Sequence, residues 1–477
     1  MYSPKRNTAN KSEVLAVYII PQNAFNLEQI SSSIKNFFSS NKIGALLKAN
    51  NFKKDKGFPC LDVFMFVFSL VFSGKKLFRI IEVEQSANFG KKEVIYRFLN
   101  SVYFNWNCLL LMLSAFVINE RLVVLTDKKR KKVFIVDDSV YSRNRSKNVE
   151  LMARVRDHCN QRYIKGFRML SLGWSDGNTF IPVSFNLLSS AEPSNVLSPM
   201  NTKIDKRTNG YKRRIDSQLK ETEAMYKLIS AACEKGIMAD YVLFDSWFTF
   251  PTVIQRLFEM GKHTVAMVKA MPKVFYNFLG ERMNLKQIYD CLRKKGGKSK
   301  ILGSACVTIA EGKIPLRIVF VRDRNRSKNW LAIISTDTQM TEEEIVQLYG
   351  RRWDIEVFFK YCKSYLNLAK EFLCRKYDAL VAHTTIVFSR YIMLAVESRN
   401  NNDNKTIGSL FHYCCEELQD ISITKALQIL LQILMSALKN NGVFTLSNNE
   451  LESFLDLFIS SLPNYFKGLM PKFSCES

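Results

Sequence analysis

Between residues 218 and 268 the chain alternates helix, strand, helix, strand, and no other stretch constrains its fold as tightly. Gln218–Lys235 spaces its apolar residues as an amphipathic helix. It stops at Gly236, a residue suited to the left-handed backbone that follows a helix C-terminus. Tyr241–Phe244 is apolar at every position, as a strand covered on both faces must be, and Asp245 follows it. Pro251 opens a second helix and Gly261 closes it. His263–Val268 then reads as another buried strand. This order predicts parallel strands with helices on the sheet faces, an α/β layer.

The flanking segments extend that frame. Upstream, Val133–Val136 is a short apolar run ending in Asp137 and Asp138. Phe167–Trp174 and Thr179–Leu187 flank Ser175-Asp176-Gly177-Asn178, and Asp-Gly between apolar runs signals a hairpin. Asn201–Asp216 is polar and basic and is expected to be a mobile loop. Residues 270–335 hold three strand-like runs (Lys300–Ile309, Ile314–Val321, Trp330–Ser335) and a short helix near Leu285–Arg293. Thr341-Glu342-Glu343-Glu344 fits a capping box that starts a helical stretch. The fold class expected is α/β, a mixed sheet flanked by helices, with a β-rich insertion and helical N- and C-terminal regions. The expected divisions are a helical, DNA-binding region over 1–126 (with Asn26–Phe38, Leu61–Phe72 and Lys91–Leu99 as helical or buried segments), a core over 127–269 and 336–399, the insertion over 270–335, and a helical region over 400–477.

Charge narrows the partner. Lys and Arg number 69 against 44 Asp and Glu, so the net charge is 69 − 44 = +25. Such an excess points to a polyanion. The basic residues are spread along the chain and not gathered on one amphipathic helix, which favours nucleic acid over a membrane surface. Eleven Cys form no Cys-x-x-Cys pair, and the four His (His158, His263, His383, His412) share no ligand spacing. A His/Cys zinc site is therefore not expected. Met1–Ser12 is polar without a leader pattern. The apolar runs Phe64–Phe72 and Cys108–Ile118 fall short of the ~20 residues that span a bilayer, and His383 and Arg390 interrupt Ala379–Val396. A cytoplasmic, non-membrane protein is the expectation.

Asp137 and Asp245 each follow a short apolar strand, where open α/β sheets gather their ligand sites. Asp there also commonly caps a helix or turn. A third element supplies the context. On a helix over Leu348–Leu366, at 100° per residue, Tyr349, Arg352, Glu356 and Lys363 fall within about 60° of one another. Leu348, Ile355, Phe358, Phe359, Cys362 and Leu366 form the core-facing side. A solvated ladder of i,i+4 ion pairs would explain Arg352 and Glu356, but not Tyr349 and Lys363 in the same register. Three carboxylates can hold two divalent cations for phosphoryl transfer. Mg²⁺ suits an all-oxygen site, and neighbouring Arg and Lys grip phosphates. Strand alternation sets Asp137 and Asp138 on opposite faces.

Tyr349-x2-Arg352-x3-Glu356-x6-Lys363 resembles the Tyr-Arg-Glu-Lys signature of a large group of bacterial insertion-sequence transposases in the DDE superfamily. Ile135-Val-Asp-Asp-Ser139 and Leu243-Phe-Asp-Ser-Trp-Phe248 resemble the segments around its two aspartates. The likeness covers roughly residues 133–395. It implies a ribonuclease-H-like catalytic domain with a β-rich insertion, and cut-and-paste transposition. It implies Asp137, Asp245 and Glu356 as catalytic metal ligands for two Mg²⁺ ions, with Mn²⁺ as a substitute. Asp137 is preferred to Asp138 because the family's aspartate stands two before Ser or Thr. The resemblance further implies that Arg352, Lys363 and Tyr349 contact DNA. The partners implied are double-stranded DNA (terminal inverted repeats and target) and a second copy of the chain in a homodimer, in a bacterial, nucleoid-associated setting. Trp247 and Trp330 are candidates for stacking a flipped base, against ordinary core packing. Arg143, Arg145, Lys147 and the Lys203–Arg214 segment are candidate DNA contacts. The alternatives are a non-catalytic DNA-binding descendant and a metal-dependent nuclease that cuts without joining.

Overall fold

The structure, a computed structural model, describes residues 32–74, 77, 92–157, 160–190, 192–293, 299–309, 314–323, 329–400 and 406–415, with single helical positions at 430, 450, 453 and 457. Met1–Ser12, Lys91, His158, most of the expected C-terminal helical region and the start of Asn26–Phe38 lie outside the described residues. The chain forms two compact units. The larger comprises 38–68 and 93–407; the smaller comprises Met1–Phe37, Ser69–Lys92 and Gly408–Ser477.

The N-terminal helices are α1 (Ser32–Ser40), α2 (Ile43–Ala49), α3 (Cys60–Ser69), α4 (Glu93–Leu99) and α5 (Trp106–Val117). Helix α5 runs on through a π-helical turn, Ile118–Leu122, to Leu125. Aromatic residues pack this end. Phe52 stacks on Phe104 at 4.5 Å and meets Trp106 edge-on at 4.7 Å. Such pairs add to what their buried area contributes.

Strands β1 (Val133–Ser142), β2 (Ala153–Asp157), β3 (Arg162–Ser175) and β4 (Phe180–Leu188) come next, then helices α6 (Asn209–Asp216) and α7 (Glu221–Glu234). The expected alternation follows as β5 (Tyr241–Phe244), α8 (Pro251–Glu259) and β6 (His263–Val268). Gly236 and Gly261 end α7 and α8 at φ +75° and +69°, the backbone their sequence positions required. The remainder is β7 (Phe275–Phe278), β8 (Glu281–Asn284), α9 (Leu285–Cys291), β9 (Ile301–Ile309), β10 (Ile314–Arg322), β11 (Trp330–Ser335), α10 (Glu342–Gly350), α11 (Trp353–Ser364) and α12 (Tyr377–Asn400).

The strands form one sheet. Along it the order is β2-β3-β1-β5-β6-β11-β10-β9-β7-β8, with β4 also paired to β3. β1 is antiparallel to β3 and parallel to β5, and β5 is parallel to β6. The order β4-β3-β1-β5-β6 with these directions is a ribonuclease-H-like sheet, as expected. The strands of the expected β-rich insertion continue this sheet, because β11 pairs antiparallel with β6 from Ala332↔Val268 to Ser335↔Val265.

Two expectations are corrected. The polar segment 201–216 ends in a helix, α6, capped by the Thr208 side chain, and its Arg213 and Arg214 are buried against Asp378. A basic run reads as solvated until a distant carboxylate comes to meet it. The 348–366 stretch is two helices, because the hydrogen bonds at Arg351 and Arg352 reach back three residues to Leu348 and Tyr349. The continuous 100° register is therefore broken at Gly350.

Trp106–Leu125 and Tyr377–Asn400 are long and apolar enough to cross a bilayer by composition. The second is buried within the protein from Tyr377 to Val396. His383 and Arg390, which interrupt its apolar run, are themselves buried, and Arg390 binds Glu371 and the carbonyls of Val67 and Phe68. It is the central helix of the core.

Candidate active site

The parallel pairing of β1 with β5 ends at Ile135↔Leu243, while β1 continues to Ser142 beside β3 alone. The sheet therefore opens between β1 and β5 just beyond their last paired residues. Asp137 lies in β1 two residues past that point, and Asp245 directly follows β5. Asp137 is thus within a strand, not at its end as the sequence suggested. The opening of the sheet, not the end of β1, exposes it.

Helix α11 brings the third carboxylate. Its buried face packs Phe358 against Phe180, Phe388 and Tyr391, with ring centres 5.2, 4.8 and 4.8 Å apart. Gly173 makes room here, since a Cβ on it would meet the Phe180 ring at 2.1 Å. The start of α11 is pinned twice. Asp354 accepts from the Ser175 hydroxyl at 2.9 Å, and Arg351 donates to the Lys131 carbonyl at 2.6 Å. Burial of one face and fixing of the first turn set the direction of Glu356.

The Arg352 guanidinium joins two of the candidates, donating to Asp137 Oδ2 at 3.1 Å and to Glu356 Oε1. It also lies 5.9 Å from the centre of the Tyr349 ring, so Tyr349 stays at the site despite the break between helices. Lys363 Nζ donates to Ser139 Oγ at 2.6 Å, two residues along β1 from Asp137. Arg352 thus touches Asp137, Glu356 and Tyr349, Lys363 reaches β1 two residues away, and Asp245 acts on Asp137 and Tyr349 through its charge.

A second group beside them was missed by the sequence reading. Arg168 on β3 faces Asp138 at 3.6 Å and Glu221, in the first turn of α7, at 3.4 Å. Trp247 donates its indole N–H to Glu221 at 2.9 Å, and Arg168 lies 5.5 Å from the Trp247 ring centre. Asp138 thus has its own partners, apart from the Arg352 pair. Glu221 gave no signal in the sequence, being one acid among several in an amphipathic helix. Trp247 is 44% exposed, which removes core packing as its role. Trp330 packs on Tyr289 and Phe320 at 4.9 and 5.1 Å.

Crowded acids in a half-buried cleft resist ionisation. Asp137 is pushed up to about 7, first by burial, against the pull of Arg352 and with help from Asp138 and Asp245. Glu221 is raised to about 7 by burial, then by Asp138 and Asp245, against Arg168. Burial, then Asp245 and Asp137, raise the Tyr349 hydroxyl to about 12 against the pull of Arg352.

A raised acid pKa means the folded chain holds protons that the unfolded chain has released, so stability falls with rising pH across that interval. In chelator, the protein is expected to lose stability between pH 5 and pH 8. Asp137→Asn should lose less, by a difference on the order of a few kcal/mol. Urea unfolding midpoints at both pH values test this, and equal pH slopes for the two proteins would refute it.

Among the described residues no three His, Cys, Asp or Glu side chains stand close enough to form a closed metal cluster. The donor set still suits a hard divalent cation. It is all carboxylate, one guanidinium reaches both Asp137 and Glu356, and Asp137 feels the Asp245 charge.

Comparison with known proteins finds matches for the chain that carries this ribonuclease-H-like sheet. Residues 84–282 match a family described as DDE superfamily endonuclease, and residues 221–393 match one described as transposase DDE domain. Both matches support a transposase of the DDE superfamily. The chain is also 30% identical over 102 residues to the transposase for insertion sequence element IS1151 of Clostridium perfringens, a match covering 19% of this chain and 21% of that protein. The chain thus spans about a fifth of the length of the curated relative it matches.

Proposed function

We propose that this protein cuts DNA at the ends of an insertion sequence and joins them to target DNA. The observation that supports it best is Arg352 bridging Asp137 and Glu356 at the β1–β5 opening, where the Asp245 charge also acts on Asp137. These three carboxylates would hold two Mg²⁺ ions, or Mn²⁺ in their stead, which when bound supply an activated water or 3′-hydroxyl and stabilise the leaving oxygen. Asp137 reaches that role by giving up the proton its burial favours. Arg352, bound to two carboxylates, turns its remaining N–H groups to a DNA phosphate. Lys363 fixes Ser139 and lends a second positive charge beside Asp137. Tyr349, kept protonated, donates a hydrogen bond to a phosphate. Trp247, exposed beside the acids, offers a face for an unstacked base.

The partners on this reading are the element's terminal inverted repeats, the target duplex and a second copy of the chain, within the bacterial cytoplasm. The test is incubation of a labelled duplex carrying the element's ends with the protein and Mg²⁺. Cuts at the ends are expected, followed by joined products from precut ends. Cuts without joining would reduce the protein to a nuclease. Binding without cuts across Mg²⁺ and Mn²⁺ would reduce it to a DNA-binding descendant.

A further inference from the structure

Away from the carboxylates, a cavity of about 1010 Å³ opens among α4, the 100–104 connection and the 205–209 segment. That is the upper end of the ~300–1,000 Å³ typical of ligand sites. Its wall carries Lys53, Lys54, Arg97, Arg207 and Lys376 against two acids, Glu93 and Asp205. Arg207 is held by Asp205 at 2.9 Å, and among the described residues the other four cations make no ion pair. Aromatic surface lines the same space. Tyr96 stands in it, and Tyr103 is 66% exposed. A large exposed aromatic ring and unneutralised cations around one concavity are not what packing alone produces.

The walls are built, not loose. The Gly210 N–H donates to the Val102 carbonyl at 2.7 Å, and Asn209 donates to the Tyr103 carbonyl at 2.7 Å. The Tyr103 connection is thereby tied to the start of α6, which the buried Arg214–Asp378 pair anchors at 2.6 Å. A second cavity, of about 600 Å³, shares Asn209 with the first and carries Lys206 and Lys212.

We propose that the larger cavity binds unpaired nucleotides of a DNA strand, stacking a base on Tyr103 and holding flanking phosphates with Arg97, Lys376 and the Lys53–Lys54 pair. Stacking on aromatic rings within a basic groove is how unpaired strands are held. A duplex keeps its base faces inside the stack and has none to offer Tyr103. This inference rests on DNA being the partner, but not on cleavage or on metal.

The test is fluorescence anisotropy of a labelled oligothymidylate in chelator, over a range of salt concentrations. Arg97→Ala/Lys376→Ala should flatten the slope of log affinity against log salt by about 1.4, at roughly 0.7 per phosphate contact. Tyr103→Ala should weaken binding about tenfold or more with the slope unchanged, and Tyr103→Phe should retain it. Lys273→Ala/Lys286→Ala, equal in charge but in the turn before β7 and in α9, should change neither. Cavity variants that behave like this control would overturn the proposal. So would equal weakening for single strand and duplex, which would mean backbone contact only. Because binding is read without metal, a protein that fails to cut DNA but shows these shifts keeps the cavity and loses only the cleavage reading.

Discussion

Glu356→Gln is expected to leave end binding intact and to reduce end cleavage on the order of a thousandfold or more. The substitution keeps the size of the side chain and the packing of α11, whose hold on the core comes from Ile355, Phe358, Phe359 and Cys362 on its other face. It removes one of three negative charges and half of what Arg352 now bridges. Divalent cations in such sites contribute several kcal/mol of charge stabilisation to the transition state, and about 4 kcal/mol corresponds to roughly a thousandfold in rate. Single-turnover cleavage of labelled ends, with electrophoretic shift as the binding control, gives the answer. Cleavage within tenfold of the wild type would remove Glu356 from the site. A loss of cleavage matched by a loss of binding would mean that the residue works through DNA affinity.

Asp378→Ala is expected to cost about 3–5 kcal/mol, the range for breaking a buried ion pair on one side. Asp378 is fully buried at the start of α12 and faces two arginines, Arg213 at 3.1 Å and Arg214 at 2.6 Å. Arg214 keeps Glu150 as a second partner at 2.7 Å. Arg213 has no second carboxylate, only the carbonyls of Asn209 and Phe104, and burial already holds it down at about 10. The variant therefore strands a guanidinium in the interior. Circular dichroism during urea unfolding reads the change, and a midpoint within error of the wild type would show that water reaches the pair. A lesser effect follows for the Tyr103 cavity, whose wall is tied to α6 through Gly210.

The sequence held much of this architecture openly. Gly236 and Gly261 fixed the ends of α7 and α8, Thr341 and Glu344 formed the capping box of α10, and Asp176-Gly177 turned the β3–β4 hairpin. These features are local, and local chemistry is written in adjacent residues. Less legible were the elements that depend on distant partners. Arg213 and Arg214 looked like solvated charges because Asp378 lies far away in sequence. Glu221 looked like any helix-surface acid until β3 brought Arg168 to it. The break at Gly350 was hidden because hydrophobic periodicity survives a single tightened turn.

What the sequence determined by itself was the run of elements, the order of the two aspartates and the spacing of Arg352, Glu356 and Lys363 on one helix face, since each follows from periodicity and turn chemistry within a few residues. What only the tertiary structure decided was which acids share a cleft. Asp137 and Asp245 meet because β1 and β5 stop pairing after Ile135 and Leu243. Glu356 is held near Asp137, through Arg352, because Phe358 locks α11 onto Phe180, Phe388 and Tyr391. Contacts across so many residues depend on how the core packs, and no local pattern encodes that.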